Sequence, residues 1–236
     1  MKNNFDVFIS EGVHDQGILR TFFMSGGPGA GKTYVASEIF GISEEKLNTV
    51  SYSTGLKLIS SDVIFEKKLK DAGYNPKELE KYMKDSEMLK QIVQVRDRAK
   101  EISQKRKTNY ITGRLGLIID GTGKNFEKVE KQKIQLKNLG YDCYMIFVNT
   151  TLEVALQRNQ ERERTLPKDL VESAWYETQK NIGKYQKLFG MDSMIIIDNS
   201  DTKSKKIIDD SEKEIKKILR KPIKNYIGLN WIKNNM

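Results

Sequence analysis

The feature that constrains this chain most is a glycine-rich run that satisfies the pattern G-x-x-x-x-G-K-[ST], namely Gly26-Gly27-Pro28-Gly29-Ala30-Gly31-Lys32-Thr33. It follows an apolar stretch, residues 20–25, and precedes a segment with helical periodicity, residues 32–40. Glycines let the backbone curl so that its N–H groups converge on phosphate oxygens, and the next helix directs its positive end to the same point. Lys32 can then reach the β- and γ-phosphates, and Thr33 can bind Mg²⁺. The run predicts a strand–loop–helix unit that binds a nucleoside triphosphate.

The rest of the chain repeats this alternation of strand and helix. Further short apolar runs occupy residues 57–60, 115–119, 144–148 and 194–197. Uninterrupted apolar runs suit strands that are buried on both faces, and intervening helices indicate βαβ units. The sequence therefore predicts an α/β fold with a parallel sheet. The predicted helices cover residues 32–40, 62–70, 76–110 with one or two breaks, 126–138, 154–163, 168–189 and 203–220.

Three local signals refine these boundaries. Residues 150–153, Thr-Thr-Leu-Glu, match a capping box in front of the helix at 154–163. Residues 5–9 alternate like an edge strand. The tail after residue 224 carries three apolar side chains, Ile227, Leu229 and Trp231, and docks either on the body or on a partner.

Composition excludes several classes of protein. The single cysteine, Cys143, and the single histidine, His14, exclude an internal disulfide framework, a cysteine-based zinc site and a two-histidine metal site. We expect Cys143 to be an inert thiol in a buried strand and His14 to lie in a surface loop. No apolar run approaches the roughly 18 residues of a membrane span, and residues 1–6 do not resemble a signal peptide. We therefore expect a cytoplasmic protein without a membrane partner, and the oligomeric state stays open.

The charge is unevenly distributed. The formal net charge is +9, and residues 57–107 hold 14 basic residues against 9 acidic ones. A basic balance favours polyanionic partners such as nucleic acid. The alternative is a lysine-rich helical surface that is simply solvated.

Two carboxylates follow predicted strands. Asp120 ends the apolar run 117–119, where an acid at the carboxyl edge of a parallel strand can hold Mg²⁺, usually through water. Asp62 follows the second strand, where ligands of open α/β sheets bind, and could accept a proton from an attacking hydroxyl. The alternative for Asp120 is turn chemistry, and for Asp62 it is capping of the next helix.

Arginines form the third element. Arg158 and Arg162 are four residues apart and share a helix face. Arginines of a flap commonly stabilise the charge on a transferred phosphoryl group. Leu166-Pro167 ends this helix and would hinge such a flap. The alternative is an exposed helix whose arginines pair with Glu161 and Glu163.

Taken together, these motifs resemble the polynucleotide kinase and zeta-toxin group of P-loop kinases, especially phage-type 5′-hydroxyl polynucleotide kinases. The shared elements span most of residues 20–199. They are the glycine-rich loop 26–33, the strand ends at Asp62 and at Asp120 with Thr122, Arg158-Asn159-x-x-Arg162, Leu166-Pro167-x-Asp169, Tyr185-x-x-Leu188-Phe189-Gly190 and Ile196-Ile197-Asp198-Asn199. The loop occurs in very many proteins, whereas the arginine–asparagine run is more specific.

The resemblance implies a P-loop NTPase kinase fold. This is a three-layer α/β/α domain with a five-stranded parallel sheet in the order 2-3-1-4-5, a helical lid and a basic helical insertion. One domain would cover residues 1–236, with the core at 20–199, the acceptor-side insertion at 75–110, the lid at 158–168 and a C-terminal helix and tail at 200–236. ATP and Mg²⁺ are the implied cofactors.

The resemblance also assigns roles. Lys32 and Thr33 would handle the ATP phosphates and Mg²⁺, and Asp62 would be the general base on the acceptor hydroxyl. Arg162 would be the lid arginine at the transferred phosphate. The residues implied to assist it or to lie near the nucleotide are Arg158, Arg164 and, near the adenine, Asn199, together with the loop residues Gly26, Gly27, Pro28, Gly29, Ala30 and Gly31.

One position departs from the pattern. Polynucleotide kinases of this type often carry an arginine three residues after the general base, where it meets a phosphate of the acceptor strand. Here that position is Phe65, which cannot hold a phosphate. A basic substitute could come from Lys57, Lys67, Lys68 or the run 96–107.

Three functions stay open. The first is a kinase for the 5′-hydroxyl end of single-stranded DNA or RNA. The second is a small-molecule kinase for a nucleoside monophosphate or a nucleotide-sugar, with Phe65, Tyr52 and Tyr74 lining the acceptor pocket. The third is a nucleotide-binding switch in which ATP rearranges the segment 57–107 for a partner. Asp62 and the arginine lid argue against the third, because a switch needs no acceptor base.

Overall fold

The strands of the chain form one parallel sheet. The computed structural model describes residues 13–42, 54–162, 165–201 and 204–236. In this part of the chain the sheet has five strands in the order β2-β3-β1-β4-β5, and every neighbouring pair is parallel. The predicted order is thereby confirmed. The strands are β1 Arg20–Ser25, β2 Lys57–Ile59, β3 Leu117–Asp120, β4 Asp142–Asn149 and β5 Met194–Asp198.

Helices connect the strands and cover the sheet. In chain order they are α1 Lys32–Phe40, α2 Ser61–Asp71, α3 Leu79–Lys84, α4 Ser86–Thr112, α5 Phe126–Asn138, α6 Leu152–Glu161, α7 Lys168–Lys180, α8 Ile182–Phe189, α9 Ser204–Arg220 and α10 Tyr226–Asn235. Single 3₁₀ turns lie at Pro76–Glu78 and Met191–Ser193. None of the described helices combines the length and apolar content that a bilayer crossing needs.

Both faces of the sheet are buried. In β4, alternate side chains such as Tyr144 and Ile146 pack in the layer that contains α1 and α9. Their neighbours, such as Met145 and Phe147, pack in the layer that contains α5, α8 and α10. Since successive strand residues point to opposite faces, two apolar layers require uninterrupted apolar strands. This explains the apolar runs from which the strands were predicted.

The predicted insertion packs around a third core, which we call the α2–α4 cluster. Its buried members are Ile64, Phe65, Leu69, Leu79, Ile92 and Ala99. They come from α2, α3 and α4, so the segment after β2 has apolar contacts of its own. Helices α3 and α4 are separated at Asp85, whose carboxylate accepts hydrogen bonds from the N–H groups of Glu87 (2.9 Å) and Met88 (2.8 Å).

Two local predictions were wrong. The helix predicted over 168–189 is divided at Asn181, whose side-chain amide donates to the carbonyls of Gly123 (3.1 Å) and Lys124 (2.9 Å). The cap of α6 is Thr151, whose hydroxyl accepts from the N–H of Val154 at 3.3 Å. A capping box needs its glutamate at the third helical position, which Val154 occupies, whereas Glu153 is at the second. The strand predicted at 5–9 lies outside the described residues.

The C-terminal segment docks on the body of the protein. Helix α10 packs in the apolar layer through Leu229, Trp231 and Ile232. A Cβ atom on Gly228 would lie 2.3 Å from the carbonyl oxygen of Gly140, so the two backbones touch. This contact resolves the alternative that the sequence left open.

Cys143 and His14, which excluded disulfide and metal sites, lie where they were predicted. Cys143 is buried in β4, and burial raises the pKa of its thiol to about 12, which agrees with an inert cysteine. His14 is exposed in a turn that precedes β1.

Candidate active site

The glycine-rich loop, residues 26–31, has no room for larger side chains at its key positions. Gly29 (φ +76°) and Gly31 (φ +83°) adopt the left-handed conformation. A Cβ atom on Gly29 would lie 2.2 Å from the carbonyl oxygen of Ala155 in α6. One on Gly31 would lie 2.3 Å from the side-chain nitrogen of Asn199. These positions therefore need glycine both for backbone conformation and for space.

Lys32 and Asn199 hold the loop from opposite sides. The Lys32 ammonium donates to the carbonyls of Gly26 (2.9 Å) and Gly27 (3.5 Å). The buried Asn199 side chain donates to the carbonyl of Ala30 at 2.9 Å, and its backbone N–H donates to Asn149 at 2.9 Å. The resemblance implied a position near the adenine for Asn199, and in this structure its amide bonds the loop.

Asp120 ends β3 and lies at the same cavity as Lys32 and Thr33. Its Oδ2 accepts a hydrogen bond from the Ser60 hydroxyl at 3.0 Å. Its Oδ1 is buried and finds no hydrogen-bond partner within the described ranges. Burial raises the pKa of Asp120, and the nearby positive charge of Lys32 opposes that shift. Asp120, Lys32 and Thr33 line one small cavity. A buried carboxylate oxygen without a partner, next to a hydroxyl, fits a hard divalent cation.

The remaining ligands of such a cation must come from groups other than protein carboxylates. No cluster of three or more His, Cys, Asp or Glu residues with metal-site geometry occurs in the part of the chain that the structure describes. Thr33 and Asp120 would therefore contribute two ligand positions, and nucleotide oxygens and water would supply the others. This is the usual arrangement for Mg²⁺ at a phosphate site.

Asp62 lies at the same edge of the sheet. The helix α2 is capped by Ser60, whose hydroxyl accepts from the N–H of Val63 at 3.5 Å, so the alternative that Asp62 is the cap was wrong. Asp62 occupies the first turn, with 46% of its side chain exposed. Its negative charge contributes to the raised pKa of Asp120. The two carboxylates therefore interact across the ends of β2 and β3.

A cation from the insertion reaches Asp62. Arg96 in α4 places its Nη2 atom 3.8 Å from Asp62 Oδ1 and its Cζ atom 5.2 Å from the centre of the Phe65 ring. Among the candidates named from sequence, Lys57 is buried in β2 and Lys68 pairs with Asp71 at 3.7 Å. Arg96 belongs to the run 96–107 that the sequence offered among several choices, and it lies beside Asp62.

Of the aromatic residues considered for an acceptor pocket, Phe65 and Tyr74 pack against neighbouring side chains. Phe65 is only 1% exposed and lies under the Arg96 guanidinium. Tyr74 packs edge-on against Tyr82, with ring centres 5.3 Å apart. Tyr52 lies outside the described residues.

The described lid arginines lie beside the loop and Asp120. The Nη1 atom of Arg158 lies 3.5 Å from the position that a Cβ on Gly31 would take. That atom is buried and has no hydrogen-bond partner among residues with described positions. Arg162 immediately follows α6, and its charge acts to lower the pKa of Asp120 against the effect of burial. Arg164 lies outside the described residues.

Helix α7 braces this site, which no sequence pattern indicated. The Trp175 indole N–H donates to the carbonyl of Thr150 at 2.9 Å, and the Thr178 hydroxyl donates to the carbonyl of Thr122 at 3.0 Å. A Cβ on Gly27 would approach Trp175 Cα to 3.5 Å. These bonds join residues tens of positions apart, beyond the reach of local patterns.

Comparison with protein families agrees with this geometry. A family model described as an AAA domain matches residues 22–184. That range contains the glycine-rich loop, both carboxylates and both described lid arginines. Membership of this family implies nucleotide binding at the loop. No curated protein has a sequence that matches this chain.

Solved structures share the fold at low sequence identity. A presumed kinase from Chloroflexus aurantiacus J-10-fl is 12% identical with a TM-score of 0.52, and the match covers 83% of this chain and 97% of that chain. The AvrRxo1-ORF1:ORF2 complex with ATP gives 15% identity and a TM-score of 0.56, covering 82% of this chain and 59% of that chain. A gluconokinase from Sinorhizobium meliloti 1021 gives 11% identity and a TM-score of 0.48, covering 86% and 94%. The first two matches support a kinase-like P-loop fold.

Substituting Gly29 by alanine tests the packing of the loop. We expect Gly29→Ala to lower the free energy of unfolding by at least about 2 kcal/mol, because it adds backbone strain and an overlap with α6. Gly27→Ala is the matched control, since its nearest neighbour would be 3.5 Å away. Urea unfolding of the ligand-free variants measures both. Equal midpoints for the two variants would contradict the proposed overlap.

Substituting Asp120 by asparagine tests the cost of the buried carboxylate. An acid whose folded pKa is raised destabilises the folded state once the pH exceeds its unfolded pKa, and this penalty disappears as the pH falls. We expect Asp120→Asn to raise the melting temperature at pH 7 by about 2 °C or more, while Mg²⁺-dependent nucleotide binding weakens. The difference in melting temperature should shrink towards pH 4. A lower melting temperature for the variant at pH 7 would contradict this account.

Proposed function

The chain belongs to the AAA domain family, and from that premise we propose that it is a kinase that transfers the γ-phosphate of Mg·ATP to a hydroxyl acceptor. The observation that carries the proposal is the half-exposed carboxylate of Asp62, which lies close enough to interact with Asp120 and is paired with Arg96. A protein that only binds nucleotide needs no such second carboxylate. A kinase needs one to accept the proton of the attacking hydroxyl.

Each group then has a role. The N–H groups of the glycine-rich loop and the Lys32 ammonium bind the phosphates. Thr33 and, usually through water, Asp120 would hold Mg²⁺, which would supply positive charge to the phosphate oxygens. Asp62 takes the proton from the acceptor hydroxyl as that oxygen bonds to the γ-phosphorus, while the bond from that phosphorus to the β,γ-bridging oxygen breaks and ADP leaves. Arg162, assisted by Arg158, stabilises the negative charge on the transferred group.

The acceptor that we propose is the 5′-hydroxyl of DNA or RNA. Such an end carries a phosphodiester close to the reacting hydroxyl. Arg96 offers a planar, bidentate donor beside Asp62, where Phe65 cannot contribute one. The Phe65 ring supports the guanidinium through a cation–π contact. Arg96 can release Asp62 and bind the acceptor phosphate without a large movement, because that phosphate would lie next to Asp62.

A small-molecule acceptor is the second candidate, and the charge pairing in the insertion favours it. Four of the ten basic residues there pair with nearby acids at 2.9 to 3.3 Å: Lys81 with Glu78, Lys84 with Glu80, Arg98 with Glu101 and Lys100 with Asp97. These pairs reduce the positive surface available to a long strand. An acceptor with one phosphate would need Arg96 alone.

The role of Asp62 can be tested by phosphate transfer. We expect the wild type to move radiolabelled γ-phosphate from Mg·ATP to an oligonucleotide with a free 5′-hydroxyl. Asp62→Asn should reduce the rate by about 10²–10⁴-fold, the usual contribution of a general base, without weakening ATP binding. Lys32→Ala serves as the inactive control.

Two outcomes would contradict parts of this proposal. Wild-type protein that binds ATP but labels no oligonucleotide would transfer the assignment to a small acceptor or to a nucleotide switch. An Asp62→Asn variant that labels at the wild-type rate would remove Asp62 from its role as the base.

The role of Arg96 needs a separate test. We expect Arg96→Ala to raise KM for the oligonucleotide by about tenfold, in the range of a lost charge-assisted hydrogen bond, and to reduce the salt dependence of binding. Arg98→Ala is the matched control, because Arg98 lies on the same helix and pairs with Glu101 instead. If both variants have the same KM, Arg96 is only a surface ion pair.

A further inference from the structure

The lid contains a side-chain clamp. Asn159 in α6 is only 5% exposed. Its Oδ1 accepts from the backbone N–H of Leu166 at 3.1 Å, and its Nδ2 donates to the carbonyl of Leu166 at 2.8 Å. A carboxamide offers a donor and an acceptor in one plane, so it can pair with both backbone groups of one residue. The clamp fastens the end of α6 to Leu166, and Arg162 lies between these two residues in the sequence.

The clamped residue also touches the acceptor side of the site. The Leu166 side chain packs against the α2–α4 cluster, which contains Phe65. Phe65 is three residues after Asp62 in α2 and supports Arg96 from α4. Leu166 therefore links the segment that carries Arg162 to the helices that carry Asp62 and Arg96.

We propose that Asn159 and Leu166 are positioning residues for Arg162. Asn159 fixes the course of the chain around Arg162, and Leu166 fixes where that segment lies relative to Asp62. Neither residue touches the reacting groups. The inference rests on the proposed function, since it assumes that Arg162 stabilises the transferred phosphate.

The physical basis is the entropy of an unfastened segment. Arg162 follows the last residue of α6, and its backbone is already extended (φ −73°, ψ 152°). A long arginine at such a point has many accessible positions, and each must be lost when it binds the transferred phosphate. Fastening the backbone on both sides removes part of that loss before the reaction. A clamp of this kind should affect turnover more than ATP affinity.

A double-mutant cycle tests the dependence on Arg162. We expect Asn159→Ala to lower kcat at least tenfold, in ATP hydrolysis or in transfer to the oligonucleotide, with KM for ATP within twofold of wild type. In the Arg162→Ala background the same change should lower kcat less than twofold. Effects that multiply in the double variant would overturn the proposal, because Asn159 would then act without Arg162.

Asn225→Ala is the control for loss of a partly buried amide that bonds the backbone. Asn225 donates to the Lys137 carbonyl at 2.7 Å and accepts from the Ile227 N–H at 3.0 Å, next to the amino end of β4 and away from the nucleotide loop. It should lower stability without lowering kcat. Asn159→Asp keeps the acceptor for the Leu166 N–H and loses the donor, so it covers the case in which Asn159→Ala does not fold. It should give an intermediate kcat in the same cycle.

Trypsin cleavage of the nucleotide-free protein gives a readout that does not depend on activity. We expect Asn159→Ala and Leu166→Ala each to increase cleavage after Arg162 at least tenfold over wild type, while Asn225→Ala leaves it unchanged. Unchanged cleavage in the first two variants would overturn the proposal even in an active kinase. Faster cleavage in a protein that transfers phosphate to neither water nor the oligonucleotide would support the clamp but contradict the proposed function.

Discussion

The structure depends on the tight contact between the glycine-rich loop and three other segments. Added Cβ atoms would lie 2.5 Å from the Val148 carbonyl at Gly26, 2.2 Å from the Ala155 carbonyl at Gly29 and 2.3 Å from the Asn199 amide at Gly31. The partners belong to β4, to α6 and to the residue after β5. In the folded protein these three partners leave no room for a side chain at the three glycines. The conformation of the loop is a property of the assembled sheet as much as of its own glycines.

Two buried polar groups of opposite charge lie beside this loop. Asp120 Oδ1 and Arg158 Nη1 are buried, and neither has a hydrogen-bond partner in the described part of the chain. Buried polar atoms of this kind destabilise a fold. A magnesium–phosphate complex would offer a cation to the first and an anion to the second. Such local conflicts are expected at functional sites, where stability is given up for preorganised binding.

The elements that could be predicted from sequence are those encoded within a few residues. Apolar runs indicated the strands because both faces of the sheet are buried, and the resemblance to P-loop kinases implied their order. The prediction failed where a distant group decided the outcome. The helix at 168–189 breaks at Asn181 because its amide bonds the loop after β3, 57 residues away. Arg96 contacts Asp62, and Asn159 contacts Leu166, because the folded chain brings them together. A single sequence does not show such contacts.

The layer that supports α1 has a consequence for synthesis of the protein. Helix α1 begins at the nucleotide loop, but the apolar side chains that cover it include Ile208, Ile215 and Leu219 of α9, beyond the segment matched by the family model. In a growing chain the glycine-rich loop is therefore made before α9, and the helix after that loop is not fully covered until α9 follows. Until then an apolar surface stays open to chaperones and to other nascent chains. The helix after the glycine-rich loop therefore gains its full apolar cover only once α9 has been made.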